Sequence, residues 1–371
     1  MFPRLHKFFI SIIPETSFTG GEAFFVCPAS RCVIVTRLKG FVKFSRPVAG
    51  DEMGLRLSTP EVVASYIARR LKCQAIADLG CGIGGQTVFL ARECKRVFAV
   101  EQDRSRLEYA RHNCKLYNVS NVVFVEGSAL SPQVRERLRG VEVVFSDPAR
   151  PLSEETRKLE SLTPPPLEVL EFYQGVTDRF AFQVPPFLSP SRIPFECEME
   201  YISLGGQLNR LTLYLGGLAS CERSAVVLPE GARLCNIQEG EPEPVEEVGR
   251  FVYEPEPSVA HARLLGELCQ LLPDLKIYQA GWKRPLLTSD TLLSSPFFKD
   301  SYQVLGHFEL DWSRIKKFLR KTGAGRVVPR LEVRPEDYWK LRKDLENGLK
   351  GEETVHIFAH GDRVVICRKL R

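Results

Sequence analysis

The sequence contains no apolar run near the ~20 residues that a membrane-spanning helix needs, no C-x-x-C pair and no H-E-x-x-H. The first absence excludes a bilayer-spanning helix. The second matters because the eleven cysteines are odd in number and scattered, Cys27 and Cys32 being the nearest pair. This argues against a disulfide framework and a structural zinc site and for a reducing, cytoplasmic compartment, so no metal is expected. With G-x-S-x-G and the Walker lysine motif also missing, zinc peptidases, serine hydrolases and P-loop enzymes are set aside. The apolar Phe8 to Ile13 follows Arg4 and Lys7 but runs into Pro14, too short for a secretory core.

The chain has 371 residues with 44% apolar content and a net charge of only +5, which suggests two domains or one domain with appendages. Residues 76–103 read IADLGCGIGGQTVFLARECKRVFAVEQD. An apolar run ends in Asp78, and Gly80, Gly82, Gly84 and Gly85 follow. An apolar-periodic segment then leads to a second apolar run ending in Glu101. The order is strand, glycine turn, helix, strand, acid. Glycines at such a turn admit positive φ and leave no Cβ between backbone and ligand, so main-chain N–H groups and a helix N-terminus can meet a polar group. Glu101, at the end of the next strand, is placed to accept hydrogen bonds from a ribose diol.

The glycine pattern alone is ambiguous between dinucleotide and methyl-donor folds. Asp78 discriminates, because an acid at the strand end would repel a pyrophosphate, whereas S-adenosylmethionine presents an ammonium and a sulfonium. D-x-G-x-G-x-G followed by V-E-Q-D resembles the class I S-adenosylmethionine-dependent methyltransferases. The resemblance implies a Rossmann-like α/β core with a mostly parallel seven-stranded sheet and S-adenosyl-L-methionine as cofactor. It implies cofactor contacts at Asp78, Gly80, Gly82, Gly84, Glu101 and Gln102. Further contacts are expected at Ser128 and Ala129, after the strand Val122 to Val125, where family members often carry an acid for the adenine amine.

The strand Val141 to Ser146 leads into Asp147-Pro148-Ala149-Arg150-Pro151. Ligands of parallel sheets bind beyond the carboxyl ends of the strands, which sets this loop beside the glycine turn. Methyl transfer needs a nucleophile held in line with the methyl carbon and a group that takes its proton. Asp147 can accept that N–H, Pro148 restricts Asp147 to extended geometry, and Arg150 can stack on a base or bind phosphate. D-P-A-R resembles the [DNS]-P-P-[YFW] motif of methyltransferases acting on planar nitrogen, without its aromatic. Upstream, Ser58-Thr59-Pro60-Glu61 reads as the capped start of a helix, with Ser58 or Thr59 also a possible cofactor contact.

Strands are expected at Arg179 to Val184, Glu196 to Ser203, Leu208 to Gly216 and Ser224 to Leu228, which closes the core. Residues 1–50 read as an accessory segment of short strands, such as Cys32 to Thr36, with Met53 as an alternative start. The core occupies 51–228. Residues 229–257 hold eight acids, two arginines and five prolines, as a solvated linker would. A C-terminal α+β domain fills 258–371, with helices over Pro257 to Leu272, from Asp311, and over Pro335 to Asn347, and a hairpin across Gly361 and Asp362. The runs YEPEPSVAHARLLGEL, LLTSDTLLSSPFFKDSYQVL and GAGRVVPRLEVR resemble prokaryotic methyltransferases that pair a D-P-A-R motif with a THUMP-like domain. Pro151 stands where those proteins usually carry a second arginine.

THUMP domains bind RNA, so the resemblance implies an RNA substrate, tRNA among the candidates, and methylation of a nucleobase nitrogen. Residues 311–350 hold twelve Lys or Arg against six Asp or Glu. Lys316, Lys317, Arg320 and Lys321 are therefore candidate phosphate contacts, with a solvated helix face as the alternative. Two other functions fit the same residues: a protein or small-molecule N-methyltransferase, and a catalytically idle RNA-binding protein that keeps the cofactor fold.

Overall fold

The computed structural model describes residues 43–150, 158–236, 243–280, 283–331 and 333–370, together with the backbone of three short strands nearer the N-terminus. Those strands, β1 (Ser11–Ile12), β2 (Phe24–Cys27) and β3 (Cys32–Val35), form an antiparallel sheet in that order. The remainder packs as two compact units, one of residues 1–200 and 210–222, the other of 201–209 and 223–371.

The first unit is built on parallel strands β4 (Ala75–Leu79), β5 (Arg96–Glu101), β6 (Val122–Glu126), β7 (Val143–Ser146) and β8 (Phe180–Val184). β7 and β8 are buried throughout. Such continuous apolar runs are what a strand covered on both faces requires. β4 pairs with β5 on one side and β7 on the other, Asp78 lying opposite Ala99 and Phe145. It is thus the switch point at which crossovers leave for opposite faces of the sheet, where α/β folds open a crevice.

Beyond β8 the sheet continues through β10 (Gln207–Tyr214), β9 (Glu198–Leu204), β11 (Arg223–Leu228) and β12 (Ala232–Cys235), nine strands in the order β12-β11-β9-β10-β8-β7-β4-β5-β6. Seven of these, β9-β10-β8-β7-β4-β5-β6, make the expected seven-stranded run, and β11 and β12 bring the sheet to nine.

Residues 43–50, read as part of an accessory segment, pack into the core. Phe44, Val48 and Ala49 are buried. Asn113, in helix α4 (Arg104–Leu116), accepts from the Ala49 N–H at 2.8 Å and donates to the Ala49 and Ile83 carbonyls at 2.8 Å each. Asp51 caps α1 (Glu52–Leu57) and pairs with Arg106 at 2.9 Å. Deleting residues 1–52 would leave the buried Asn113 Oδ1 without its donor, at about 1–3 kcal/mol per unsatisfied group, and would remove the burial of Phe44 and Val48, worth about 1.5–3 kcal/mol each. A protein lacking residues 1–52 should therefore melt well below one lacking residues 1–42. Equal melting temperatures would show that residues 43–52 contribute nothing.

Ser58 and Thr59 do not cap the next helix, α2 (Glu61–Arg70), whose N-cap is Pro60 without a side-chain bond. The Ser58 hydroxyl turns back to the Gly54 carbonyl, and Thr59 points elsewhere.

The second unit carries a seven-stranded sheet in the order β14-β15-β13-β16-β19-β18-β17. Its strands are β13 (Phe251–Pro255), β14 (Lys276–Gln279), β15 (Leu286–Ser289), β16 (Phe298–Glu309), β17 (Ala324–Arg330), β18 (Glu353–His360) and β19 (Arg363–Lys369). The expected helices α9 (Trp312–Leu319), capped by Asp311, and α10 (Pro335–Glu346) are present. Ile315, Leu319 and Leu345 of these helices bury against Val327, Val355, Ile357, Val364 and Ile366 of the sheet.

Two readings are corrected here. The single helix over Pro257 to Leu272 is two, α7 (Pro257–Ala262) and α8 (Leu265–Leu271), separated by Arg263 at φ 56°. The acidic stretch read as a linker contains β12 and β13, and in β13 Val252 and Tyr253 are fully buried. Composition averaged over turns and short strands conceals the strands.

Candidate active site

The glycine turn is pinned to the sheet by the Gly80 and Cys81 N–H groups, which both donate to the Val100 carbonyl at 2.9 Å. Gly80 and Gly82 have φ of 76° and 55°, and a Cβ at either would meet nothing within 4 Å. The backbone conformation requires glycine there, and the space above it is left to a ligand. Gly84 has a different role. A Cβ there would come to 3.0 Å from Ala110, so its bare Cα lets α4 approach, a packing role beside the expected cofactor contact. Cys81 is buried, and burial with neighbouring carboxylates pushes its thiol well above the ordinary value, consistent with packing rather than reactivity.

Glu101 ends β5 and is 8% exposed. One of its oxygens accepts from the Gly82 N–H and the other from the Asp103 N–H, each at 2.9 Å. A carboxylate oxygen has two lone pairs, so each keeps one acceptor site for a diol. Glu101 therefore braces the turn as well as facing the crevice. Gln102 and Ser128 are exposed. The Ala129 carbonyl accepts from the Tyr173 hydroxyl at 2.6 Å, which fixes this loop and leaves the oxygen a second lone pair.

Asp78 is 2% exposed and accepts from the Thr87 hydroxyl of α3 (Thr87–Glu93) at 2.6 Å. Burial is the main cause that raises its carboxyl to about 7; the charges of Asp147 and Glu101 add to the rise and Thr87 opposes it. Three carboxyl groups thus stand at the ends of adjacent strands β5, β4 and β7. A cationic ligand would relieve their repulsion, and an anionic one would add to it.

Asp147 follows β7, which is tied to β4 by the Ser146 hydroxyl donating to the Leu79 carbonyl at 3.1 Å. Burial raises the Asp147 carboxyl, while the Arg210 charge and a hydrogen bond with Thr59 pull it down. Thr59 is a hub. Its hydroxyl has a single proton, shared between Asp147 and Gln183 Oε1 at 3.4 Å, and accepts from Arg210 Nη2 at 3.2 Å. Pro148 is buried, Ala149 bridges Thr163 through two backbone bonds of 2.8 and 2.9 Å, and Arg150 is exposed where the described segment ends.

Gln183 and Arg210 were missed by the sequence reading. The available signal was a polar residue interrupting an apolar strand: FAFQV in β8, and QLNRLTLY in β10. Gln183 Nε2, Arg210 Nε and Thr212 Oγ1 are buried with no partner among the described residues, and Thr212 lies opposite Gln183 in the β8–β10 register. A buried unmade hydrogen bond costs about 1–3 kcal/mol, so the three groups are suited to a polar ligand entering beside Asp147.

The expected RNA contacts lie on α9. Lys317, Arg320 and Lys321 are exposed, whereas Lys316 is engaged with Asp344 of α10 at 2.6 Å. Among the described residues no group of three or more His, Cys, Asp or Glu could hold a metal, and no helix is long and apolar enough to cross a membrane.

The crystal structure of a Porphyromonas gingivalis protein assigned to the methyltransferases superposes on this one with a TM-score of 0.70 at 16% identity, covering 86% of this chain and 83% of that one. The fold is that of the class I methyltransferases. Residues 73–151, the span from the glycine turn to the D-P-A-R loop, match the family described as RNA cap guanine-N2 methyltransferase. A Clostridium tetani protein named "Uncharacterized RNA methyltransferase" is 34% identical over 90 residues, 24% of this chain and 19% of that protein. A Methanocaldococcus jannaschii protein named "Probable cobalt-precorrin-6B C(15)-methyltransferase (decarboxylating)" is 34% identical over 58 residues, 16% of this chain and 32% of its own. The matched segments span less than a third of these curated relatives. One is named for RNA and the other for a small molecule, as expected when the shared segment is the cofactor half of the fold.

If Asp78 meets the cofactor's ammonium, cofactor affinity should depend on pH. With its carboxyl raised to about 7, it is neutral below that pH and attracts an ammonium only above it. Affinity for S-adenosylmethionine should rise between pH 6 and 8, by at most tenfold per unit below the midpoint. Methylthioadenosine, which lacks the ammonium, should show a flat profile; a parallel rise for both would move the titration elsewhere. Stability of the free protein has the opposite sign, because a carboxyl raised on folding contributes stability that is complete below the unfolded value and is lost as pH climbs through 7.

Proposed function

We propose that this protein is an S-adenosylmethionine-dependent methyltransferase that places a methyl group on a nucleobase nitrogen of RNA, tRNA being among the candidates. The observation that carries the reading is the set of three carboxyls, Asp78, Glu101 and Asp147, around an open glycine turn at the switch point of the sheet. When bound, the cofactor supplies an electrophilic methyl on a sulfonium. Asp78 holds its ammonium, Glu101 its ribose, and the Gly80 and Gly82 backbone lets it lie against the chain. Asp147 accepts the N–H of the incoming nitrogen, oriented by Thr59 and Arg210, and Gln183 offers a donor to the same substrate.

The RNA assignment is supported by the description of the matching family, by the RNA methyltransferase name of the relative, and by the resemblance of the C-terminal runs to a THUMP-like domain. On this reading residues 51–228 form the catalytic domain and the segment from 258 onward the RNA-binding domain, with exposed basic residues of α9 available to phosphate. Mass spectrometry of nucleosides from a deletion strain and its parent tests it. Loss of one methylated nucleoside would identify the base; an unchanged RNA profile would turn the assignment to a protein or small-molecule substrate.

A further inference from the structure

A cavity of about 360 Å³ lies within the second unit, rimmed by Lys283, Arg284, Lys299 and Arg330, with Glu254 as its one carboxylate. Arg330 ends β17 opposite Phe358 of the parallel strand β18. Its Nη2 stands 3.8 Å from Glu254, whose carboxylate also accepts from the Tyr302 hydroxyl at 2.7 Å. Glu254 is thus shared and fixes the direction of Arg330. The Arg330 Nε is buried and has no partner among the described residues, a spare donor beside the cavity. The field is felt behind the wall: the His356 imidazole, packed on Tyr302, is lowered to about 4 by burial and by the Arg330 and Lys369 charges.

Four cations against one carboxylate select an anion, and arginine forks match phosphate oxygens. The apolar part of the lining adds a second requirement. Phe358, 3% exposed, and the half-buried Tyr338 are among the lining residues. The adjoining Trp339 is 62% exposed, with its ring centroid 5.4 Å from that of Tyr338 and the Arg342 guanidinium 5.4 Å above it. An exposed aromatic ring such as Trp339 beside a basic cavity is what an unstacked base lies against. The volume sits at the low end of small-ligand sites, about 300–1,000 Å³, so it admits one nucleotide and no duplex.

We propose that this cavity binds a phosphate-bearing nucleotide unit, delivered by a single-stranded segment of RNA. The source of the unit rests on the RNA reading above; the chemistry of the cavity does not.

The test uses the full chain, a fluorescein-labelled single-stranded RNA of about ten nucleotides followed by anisotropy at rising salt, and AMP and inorganic phosphate as competitors. The variants are R284Q/K299Q and R284E/K299E, which alter exposed residues, with K317E/R320E on α9 as comparison. R284Q/K299Q should weaken RNA binding about tenfold and lower the log–log salt slope by about 1.4, two contacts at ~0.7 each for a single strand. R284E/K299E should weaken it further, AMP should compete, and K317E/R320E, outside the cavity lining, should leave AMP binding at the wild-type level. Wild-type affinity and slope in both cavity variants would overturn the proposal, as would loss confined to the α9 variant. If AMP and phosphate bind the wild type and not the variants while RNA binds all alike, the cavity takes free nucleotide, and the RNA source is overturned. Cofactor affinity, measured by calorimetry on the same samples, separates the two readings: its absence in the wild type would sink the methyltransferase assignment and leave the cavity result standing.

Discussion

Replacing Asp147 with asparagine should slow methyl transfer by about 10²–10⁴-fold, the range of a positioned proton acceptor, and leave cofactor affinity nearly unchanged. The amide keeps the shape and the hydrogen bond with Thr59 but cannot take a proton. Burial raises the Asp147 carboxyl while Arg210 and Thr59 restrain the rise, which moves it toward the pH at which a base is effective. An interaction made only in the transition state lowers kcat and kcat/KM together. Single-turnover rates with saturating cofactor, beside calorimetric affinities, check both halves of the expectation. Wild-type turnover in the variant would reduce the D-P-A-R loop to a structural element.

Glu101→Ala should weaken S-adenosylmethionine binding by about 1.5–3 kcal/mol, the worth of a charge-assisted hydrogen bond, or about 10–150-fold. Because Glu101 also accepts from the Gly82 and Asp103 N–H groups, the same substitution removes the brace of the glycine turn and should lower the melting temperature. Glu101→Gln, which retains one acceptor oxygen, should fall between wild type and alanine in both measurements. Calorimetry showing unchanged affinity in the alanine variant would take Glu101 out of the ribose role.

Much of the first unit was legible in the chain because its signals are local. A strand buried on both faces has to be a continuous apolar run, and a turn at positive φ has to use glycine, so Asp78, Glu101 and Asp147 could be placed at strand ends before any coordinates. The same local logic located α9 from Asp311 and α10 from Pro335. It failed where two meanings share one residue type. Ser58-Thr59-Pro60-Glu61 has the composition of a helix cap, yet the Thr59 hydroxyl is claimed by Gln183, 124 positions away. The twelve-residue β16 is rich in polar residues and carries Gly306, so neither alternation nor β-branching marks it. Its neighbours on both sides, β13 and β19, hold it in the sheet. The break at Arg263 likewise has no glycine or proline to announce it.

What the sequence determined by itself was the cofactor half: the order of strand, glycine turn, helix and acid, whose physical causes lie within ~30 consecutive residues. What only the tertiary structure decided was the surroundings of the reacting group and the basic cavity. Thr59, Asp147, Gln183 and Arg210 come from four separate segments, and Lys283, Lys299 and Arg330 from three more. Hydrophobic periodicity records only which face of an element is buried, so it says nothing about which polar residues of distant elements the buried faces bring together.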